Sequence, residues 1–255
     1  MKEREKLENS NLFEGIVSFR TVVSTMLDNT SQRKILKVFY DIEKAKKKPK
    51  EFSFIKAKSY ELRFEIELVE SDVINELTLG NNHGGLAFTC SDRTYLPLEE
   101  KYIENNGFYV VLDGIEDPYN FGYSLRSLYA AGVNGIIVPE RNWLSVAGIV
   151  CRASAGASEM IPVYIDKNGD LVKLFKAKKY KIVCADIENS VSMYDADLKK
   201  PILLVIGGEK RGISKNILQH ADETVRIEYG RTFDAHLSAA SASTVLAYEI
   251  YRQNR

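Results

Sequence analysis

The sequence predicts an α/β protein with a mainly parallel sheet in its C-terminal part. From Phe108 onward, short apolar runs alternate with helical patterns, which is typical of a sheet built from βα units. One of these runs, residues 202–206, leads directly into a loop bracketed by glycines, as expected at the carboxyl end of an interior parallel strand. The last segment, Leu237–Gln253, is rich in Ala and Ser and is predicted to be a closely packed helix.

A helix, a turn and a strand are predicted near the start of the chain. Apolar residues between Phe13 and Leu27 recur near helical spacing, and the polar residues 28–31 indicate a turn. The apolar residues from Ile35 to Phe39 then favour a strand.

A basic run and a polar turn follow. Lys44–Lys50 is a run of lysines in which Pro49 indicates a helix end or a loop. These lysines could contact phosphates, or they could complement the dipole of a solvated helix end. A polar turn that contains His83 separates two apolar stretches between residues 77 and 89.

The later strands are predicted from the apolar runs. Their ranges are Phe108–Leu112, Gly135–Val138, Lys181–Ala185, Ile202–Ile206 and Thr224–Ile227. The sequence changes character between Pro97 and Gly107, so we place a domain boundary at residues 103/104.

Composition excludes several classes of protein. The chain has 35 basic and 35 acidic residues, so a polyanion must be bound by a local basic patch. The apolar runs are too short to span a membrane and the charged start does not resemble a secretory signal, so we expect a cytoplasmic protein. The three cysteines, Cys90, Cys151 and Cys184, lack metal-ligand spacing, and we expect them to be buried, with no disulfide or metal site.

The loop after residues 202–206 predicts a ligand-binding turn. A phosphate-cradling loop needs Lys and Ser or Thr directly after its last glycine, and Ile213 and Ser214 stand there instead, which excludes a nucleoside triphosphatase of that type. Gly208 and Gly212 could also simply shape a tight turn between a strand and a helix.

A second candidate site follows the strand that begins at Phe108. Asn120 can cap the start of the next helix, and Arg126 lies under two turns further on, where a guanidinium suits a phosphate or carboxylate. Taken alone, Asn120 could be a plain helix cap, and Arg126 could form a surface ion pair.

Four segments in order resemble one family. They are Asp117-Pro-x-Asn-x-Gly-x-x-x-Arg126, Cys151-Arg-Ala-Ser-Ala-Gly-Ala157, Gly207-x-Glu-x-x-Gly-Ile and the Ser/Ala-rich terminal helix. In this order and spacing, the chain from Phe108 to Gln253 resembles the SpoU/TrmH-type RNA ribose 2′-O-methyltransferases of the SPOUT superfamily. The resemblance implies a C-terminal trefoil knot, a homodimer whose sites take residues from both subunits, and S-adenosylmethionine as the cofactor.

The resemblance also implies roles for individual residues. Cofactor contacts are expected at Gly207, Gly212, Ile227 and Leu237. Arg126 matches the arginine that orients the ribose 2′-hydroxyl or helps it lose its proton, and we expect it to stabilise the developing alkoxide. Asn120 and Glu209 match positions that order the site, although Glu209 could instead only hold its loop.

The N-terminal part more weakly resembles the family's RNA-binding domain, which is similar to a ribosomal L30e-like protein. The resemblance rests on Phe13-Glu14-Gly15 and on the turn at His83-Gly84-Gly85. We therefore assign residues 1–103 to RNA binding and 104–255 to catalysis, with ribosomal RNA favoured over transfer RNA. Candidate RNA contacts are Lys46, Lys47, Lys48, Lys50 and His83.

The third motif departs from the family pattern. The family reads Ser-Leu-Asn-x-Ser where this chain has His236-Leu-Ser238-Ala-Ala240. A catalytically silent RNA-binding protein with the same fold is therefore a second hypothesis. A third, a dinucleotide-dependent enzyme of small molecules, is weak because no Gly-x-Gly-x-x-Gly follows the first strand of the α/β domain.

Overall fold

A computed structural model of the protein describes residues 11–78, 81–139, 146–232 and 234–255. The charged start of the chain and residues 79–80 of the predicted polar turn lie outside these ranges. The chain divides into two compact units. The first comprises Met1–Thr94 and Asn142–Met160, and the second comprises Tyr95–Arg141 and Ile161–Arg255.

The first unit contains a four-stranded mixed sheet and six described α-helices. The strands are β1 (Leu12–Glu14), β2 (Ile35–Asp41), β3 (Glu65–Val69) and β4 (Leu86–Cys90), in the order β1-β4-β2-β3. The α-helices are α1 (Gly15–Leu27), α2 (Ile42–Lys47), α3 (Pro49–Leu62), α4 (Ser71–Leu77), α6 (Ala147–Ala153) and α7 (Ala157–Met160); α5 (Pro118–Ala130) belongs to the second unit. Only β2 and β3 pair in parallel.

Aromatic residues fill the core of the first unit. Phe13, Phe19 and Phe88 are fully buried, and the ring centroids of both Phe13 and Phe19 lie 5.5 Å from that of Phe88. The edge-on arrangement of Phe19 against Phe88 is a favourable geometry for aromatic pairs. This core fixes α1 against the sheet.

The segment with α6 and α7 packs into the same core. Cys151 of α6 is fully buried there, and a Cβ added to Gly148 would overlap the carbonyl oxygen of Leu12. A buried ion pair, Arg33 Nε to Glu159 Oε2 at 2.8 Å, joins α7 to the chain before β2, and both side chains are 2% exposed. These contacts explain why residues 142–160 cluster with the first unit, although they follow the predicted boundary at 103/104. The assignment of 1–103 and 104–255 to separate roles stays a prediction.

The second unit is built on an eight-stranded sheet. Its strands are β5 (Leu96–Pro97), β6 (Phe108–Asp113), β7 (Gly135–Pro139), β8 (Val163–Asp166), β9 (Lys181–Ala185), β10 (Val191–Ser192), β11 (Ile202–Gly207) and β12 (Glu223–Arg226). Every pairing is parallel, in the order β10-β12-β9-β11-β6-β7-β8-β5. Its described helices are α5 (Pro118–Ala130), α8 (Leu171–Ala177), α9 (Lys215–Leu218) and α10 (Ala239–Asn254). The predicted α/β class with a mainly parallel sheet is confirmed, whereas the trefoil knot and the L30e-like fold stay predictions.

One local expectation is confirmed and one differs from the structure. α2 ends at Lys47, two residues before Pro49, as the sequence predicts, and Pro49 then begins α3, because its fixed φ and missing N–H suit a helix start. Asn120 does not cap α5, because Asp117 is the N-cap residue and its Oδ2 accepts the backbone N–H of Asn120 at 2.8 Å.

Candidate functional site

A cavity of about 490 Å³ lies at the carboxyl ends of three neighbouring strands of the second unit. Gly207 ends β11, Asp186 follows β9, and Ile227 follows β12. The start of α10 contributes Leu237 and Ala239 to the wall. Parallel strands in open sheets gather ligands at this edge. All four of the predicted cofactor contacts, Gly207, Gly212, Ile227 and Leu237, line this one cavity.

The loop after β11 is held by backbone contacts. Gly208 pairs with Gly212 across the loop, and the Gly212 N–H donates to the Gly208 carbonyl at 2.9 Å. A Cβ on Gly207 would lie 2.5 Å from the carbonyl carbon of Gly212 and 2.6 Å from the nitrogen of Ile213. These distances are too short for any side chain, so Gly207 is required by the loop itself.

Asp113, at the end of β6, braces the same loop. Its carbonyl accepts the Gly208 N–H at 2.7 Å, and its Oδ2 accepts the Ser214 N–H at 2.8 Å. Our sequence reasoning gave no role to Asp113. The available signal was an acidic residue directly after a buried strand, where a carboxylate can reach backbone donors of the neighbouring strand's loop.

Asn120 and Glu209 meet at the edge of the cavity. The Asn120 Nδ2 donates to Glu209 Oε1 at 3.1 Å, which links α5 to the glycine loop. Glu209 is exposed and lines the cavity. Two of the predicted catalytic residues are thus in direct contact, although 89 positions separate them in the chain.

Arg126 is exposed on α5 and is not among the residues that line this cavity. Tyr119 and Tyr123, which are 49% exposed, precede it on the same helix at positions that share its face. Arg126 is therefore not part of the cavity wall that the four predicted cofactor contacts of its own chain form.

The altered third motif forms the start of α10. Ser238 is the N-cap residue, and its side chain accepts the N–H of Ser241 at 3.2 Å. His236 is exposed and lines the cavity, whereas Ala240 is buried. Asn and Ser are both strong N-cap residues, so the replacement at position 238 preserves the local structure. The hydroxyl of Tyr229 also accepts the N–H of Leu237 at 3.1 Å.

The predicted RNA contacts lie in the first unit and have different surroundings. Lys46 forms an exposed ion pair with Glu43 at 2.7 Å. Lys47, Lys48 and Lys50 are exposed at the junction of α2 and α3.

His83 is only 5% exposed, and its two ring nitrogens have partners inside the first unit. Nε2 lies 2.7 Å from Asn75 Oδ1, and Nδ1 accepts the Gly85 N–H at 3.0 Å. Burial lowers the pKa of His83. The ring therefore supports the turn before β4, and an RNA contact of His83 stays a prediction.

A comparison with known protein families identifies the family of the chain. The SpoU rRNA Methylase family matches residues 107–248, which is more than half of the chain. The chain belongs to the SpoU methylase family. The resemblance drawn from the motifs is therefore confirmed.

Individual relatives extend this family assignment. A Staphylococcus saprophyticus protein of the TrmH family is 34% identical over 145 residues, which cover 56% of this chain and 58% of that protein. The 23S rRNA (guanosine-2′-O-)-methyltransferase RlmB of Shewanella oneidensis is 29% identical over 195 residues, which cover 74% of this chain and 79% of RlmB.

A solved structure has the same fold. The AdoMet-bound rRNA methyltransferase from Sinorhizobium meliloti superposes with a TM-score of 0.77 at 24% identity, covering 95% of this SpoU-family chain and 87% of that chain.

Within the four described ranges, no group of three or more His, Cys, Asp or Glu residues is arranged to hold a metal ion. No helix in those ranges is both long and apolar enough to cross a membrane. The three cysteines are buried and unpaired, as the sequence predicts.

Proposed function

We propose that this protein is an S-adenosylmethionine-dependent methyltransferase that methylates a ribose 2′-hydroxyl in structured RNA. The observation that carries the proposal is the cavity at the strand ends, because it unites all four predicted cofactor contacts in a member of the SpoU family. Similarity to the RlmB protein of Shewanella oneidensis favours ribosomal RNA over transfer RNA. We expect the protein to act as a homodimer in the cytoplasm.

The cavity fits S-adenosylmethionine in size and lining. Its volume lies in the range typical of small-molecule sites, and aliphatic residues such as Ile206, Val225 and Leu246 supply an apolar wall. The absence of a side chain at Gly207 and Gly212 lets a ligand approach the backbone of the loop. Gly207, Ile227 and Leu237 would hold the cofactor mainly through backbone groups.

The chemistry divides simply between the cofactor and the protein. S-adenosylmethionine, when bound, supplies a methyl group on a sulfonium, which is an excellent leaving group. The protein must hold the ribose hydroxyl in line with that methyl group and ease the loss of its proton. Asn120 and Glu209, joined at the cavity edge, would order the loop around the reacting groups.

Arg126 would act on the acceptor. A guanidinium is positively charged and presents several donors, so it can anchor a phosphate and stabilise negative charge as it develops on the 2′-oxygen. Since Arg126 lies outside the cavity of its own chain, a second copy is the natural source of this group. The placement of Arg126 thus supports the proposed homodimer.

An exposed aromatic face offers a surface for the second copy. α5 and α10 pack together, and the Thr244 Oγ1 donates to the Ser127 Oγ at 2.7 Å between them. On these two helices the exposed aromatic residues are Tyr119, Tyr123, Tyr129, Tyr248 and Tyr251. Tyrosine is enriched at protein interfaces because its ring packs and its hydroxyl bonds. Tyr123 and Tyr129 lie three positions before and after Arg126 on α5, and Tyr119 lies seven before it, so these three tyrosines flank Arg126 on the helix surface.

A second candidate function is RNA binding without turnover. The observation that favours it is His236 at the cavity wall, where the family pattern has Ser. The preserved cap at Ser238 and the contact between Asn120 and Glu209 favour the enzyme.

Transfer of labelled methyl from S-adenosylmethionine tests the proposal. The substrates are unmodified transcripts of ribosomal and transfer RNA, and the products are mapped for ribose methylation. We expect 2′-O-methylation of ribosomal RNA by the native chain and at least a roughly 100-fold loss with Arg126→Ala, since the variant loses the charge that stabilises the alkoxide. Lys173→Ala, which removes an exposed cation of α8, serves as the control and should act like the native chain. Cofactor-independent RNA binding with no transfer would support the silent alternative.

A further inference from the structure

Two adjoining cavities of the first unit form one groove beside α1. A cavity of about 350 Å³ is lined by the start of α1, the turn at His83 and Arg152 of α6. A second, of about 500 Å³, is lined by Arg20, Lys47, Lys48, Pro49, Lys50 and Glu51. Lys48 and Glu51 line both cavities, so the two lie side by side. We call them together the basic groove.

Positive charge dominates the basic groove. Its cationic residues are Arg20, Lys44, Lys47, Lys48, Lys50 and Arg152, and its carboxylates are Glu14 and Glu51. A concave surface with an excess of one charge raises the local concentration of ligands of the opposite charge. In a chain with no net charge, such a local excess is the feature by which a polyanion can be bound.

The two carboxylates are already occupied. Glu14 Oε2 accepts from Arg152 Nη1 at 2.7 Å, and Glu51 Oε1 lies 2.6 Å from Lys44 Nζ and accepts the Tyr40 hydroxyl at 3.0 Å. Glu14 therefore pairs with Arg152 and Glu51 with Lys44, and Glu51 also interacts electrostatically with Lys48. The two carboxylates offset two of the six cations, which leaves an excess of four positive charges in the groove.

Four of the six cations have no carboxylate within ion-pair distance among the described residues. They are Arg20, Lys47, Lys48 and Lys50. Arg20 comes from α1. Its guanidinium lies over the Phe54 ring, 5.5 Å from the ring centroid, and this contact helps to orient the Arg20 side chain. The three lysines come from the junction of α2 and α3.

We propose that the basic groove binds the phosphodiester backbone of the RNA substrate, with Arg20 and Lys48 as its central contacts. This proposal rests on the proposed function, which supplies RNA as the polyanion. Cations spread over two neighbouring cavities match a chain of phosphates better than a single anion. Arg20 was not predicted from the sequence, whereas Lys46, which was predicted, is paired with Glu43 and lines neither cavity.

Binding of a fluorescein-labelled, unmodified 23S ribosomal RNA transcript tests the groove. Affinity is measured by polarisation at several salt concentrations for the native chain, the double variant Arg20→Gln with Lys48→Gln, and Lys56→Gln. Lys56 is an exposed cation of the same helix, α3, that lines neither cavity, so it is the matched control. Unchanged melting temperatures confirm that the exposed substitutions leave the fold intact.

The expected result is a loss of affinity of about 10-fold or more in the double variant, with the slope of log affinity against log salt reduced by about 0.7–0.9 for each phosphate contact removed. Lys56→Gln should match the native chain. Equal RNA affinity and equal salt slope in all three proteins would overturn the proposal that the groove binds RNA.

Cofactor binding, measured separately by equilibrium dialysis with labelled S-adenosylmethionine, tells the two proposals apart. If the native chain binds the cofactor and transfers methyl groups, but the double variant binds RNA as tightly as the native chain does, only the proposal that the groove binds RNA is rejected. If the native chain neither binds the cofactor nor transfers methyl groups, but the double variant binds RNA more weakly than the native chain, only the proposed methyltransferase activity is rejected.

Discussion

At the scale of the residue, the glycine loop shows why Gly207 and Gly208 stand where they do. A Cβ at Gly208 would overlap the carbonyl oxygen of Gly114, and one at Gly207 would press on Gly212 and Ile213. Both neighbours are backbone, which cannot move aside as the end of a flexible side chain can. The loop is thus shaped by backbone packing that also leaves its surface open to the cavity.

Gly207→Ala tests this account. We expect the added methyl group to lower the free energy of unfolding by about 1–3 kcal/mol, as overpacking does, and to weaken cofactor binding because the loop must shift. Gly230→Ala is the matched control, since a Cβ there meets nothing within 4 Å. Urea denaturation and equilibrium dialysis measure the two effects. Equal stability and binding of the two variants would contradict the packing argument.

The sequence could identify the residue types of the site more readily than their partners. The motif spacing pointed to Asn120 and Glu209, but only the structure joins them by a hydrogen bond. It also gives the cap of α5 to Asp117, although a carboxylate directly before Pro118 was a readable signal for a helix start. Arg20 could not be predicted as part of a basic groove, because its neighbours there come from the junction of α2 and α3, which only the fold brings next to α1.

At the scale of the element, strands were easier to predict than the segment that follows β7. The five predicted strands of the second unit are all present. Four of them are short, mostly buried apolar runs, whereas in β12 only Val225 is buried. β8 was missed, since Val163–Asp166 has only three apolar residues before its aspartate. The packing of α6 and α7 with the first unit depends on contacts between residues far apart in the sequence, such as Arg33 with Glu159. Such contacts leave no local pattern in the sequence from which they could be predicted.

The start of α10 gives a prediction about the altered motif. Ser238→Ala removes the side chain that accepts the Ser241 N–H, so we expect the free energy of unfolding to fall by about 1 kcal/mol. Ser238→Asn restores the family residue and keeps an acceptor at the cap, so its stability should stay close to that of the native chain. Urea denaturation of the three proteins checks both expectations. A loss in Ser238→Asn as large as that in Ser238→Ala would show that the cap does not explain the tolerance of Ser at this position.

At the scale of the whole molecule, buried weak acids link stability to pH. Burial raises the pKa of Cys151, Cys184, Tyr164 and Tyr180 to about 12. In the unfolded chain, thiols lose their protons from about pH 8.5 and tyrosines from about pH 10. Between these values and pH 12 the unfolded state binds fewer protons than the folded state, so the free energy of unfolding must decrease as the pH rises.

Urea denaturation between pH 7 and 10 tests this linkage. We expect little change in the contribution of these groups below about pH 8 and a progressive loss of stability above it. Cys184→Ala removes one of the buried acids, so its stability should fall less steeply with pH than that of the native chain, whatever its stability at pH 7. Parallel curves for the two proteins would mean that Cys184 does not contribute.

The placement of Arg126 outside its own cavity leads to a prediction about assembly. If each site combines the cavity of one subunit with Arg126 of the other, two inactive variants should restore activity when they share a dimer. The first variant is Arg126→Ala, and the second is Ile227→Trp, which fills the cavity. In a mixed dimer, the intact cavity belongs to the chain that lacks Arg126, and the intact Arg126 belongs to its partner. One of the two sites is then complete.

Co-expression of the two variants with different affinity tags, followed by methyl-transfer assays, measures this complementation. Random assembly yields half mixed dimers, each with one working site, so we expect about a quarter of the native activity from the mixture. Dimers purified through both tags should reach about half of it, while each variant alone stays inactive. A site built within one chain would leave the mixed dimers inactive, because neither chain carries both an open cavity and Arg126. The outcome therefore decides whether the exposed position of Arg126 on α5 reflects a site completed by a second copy.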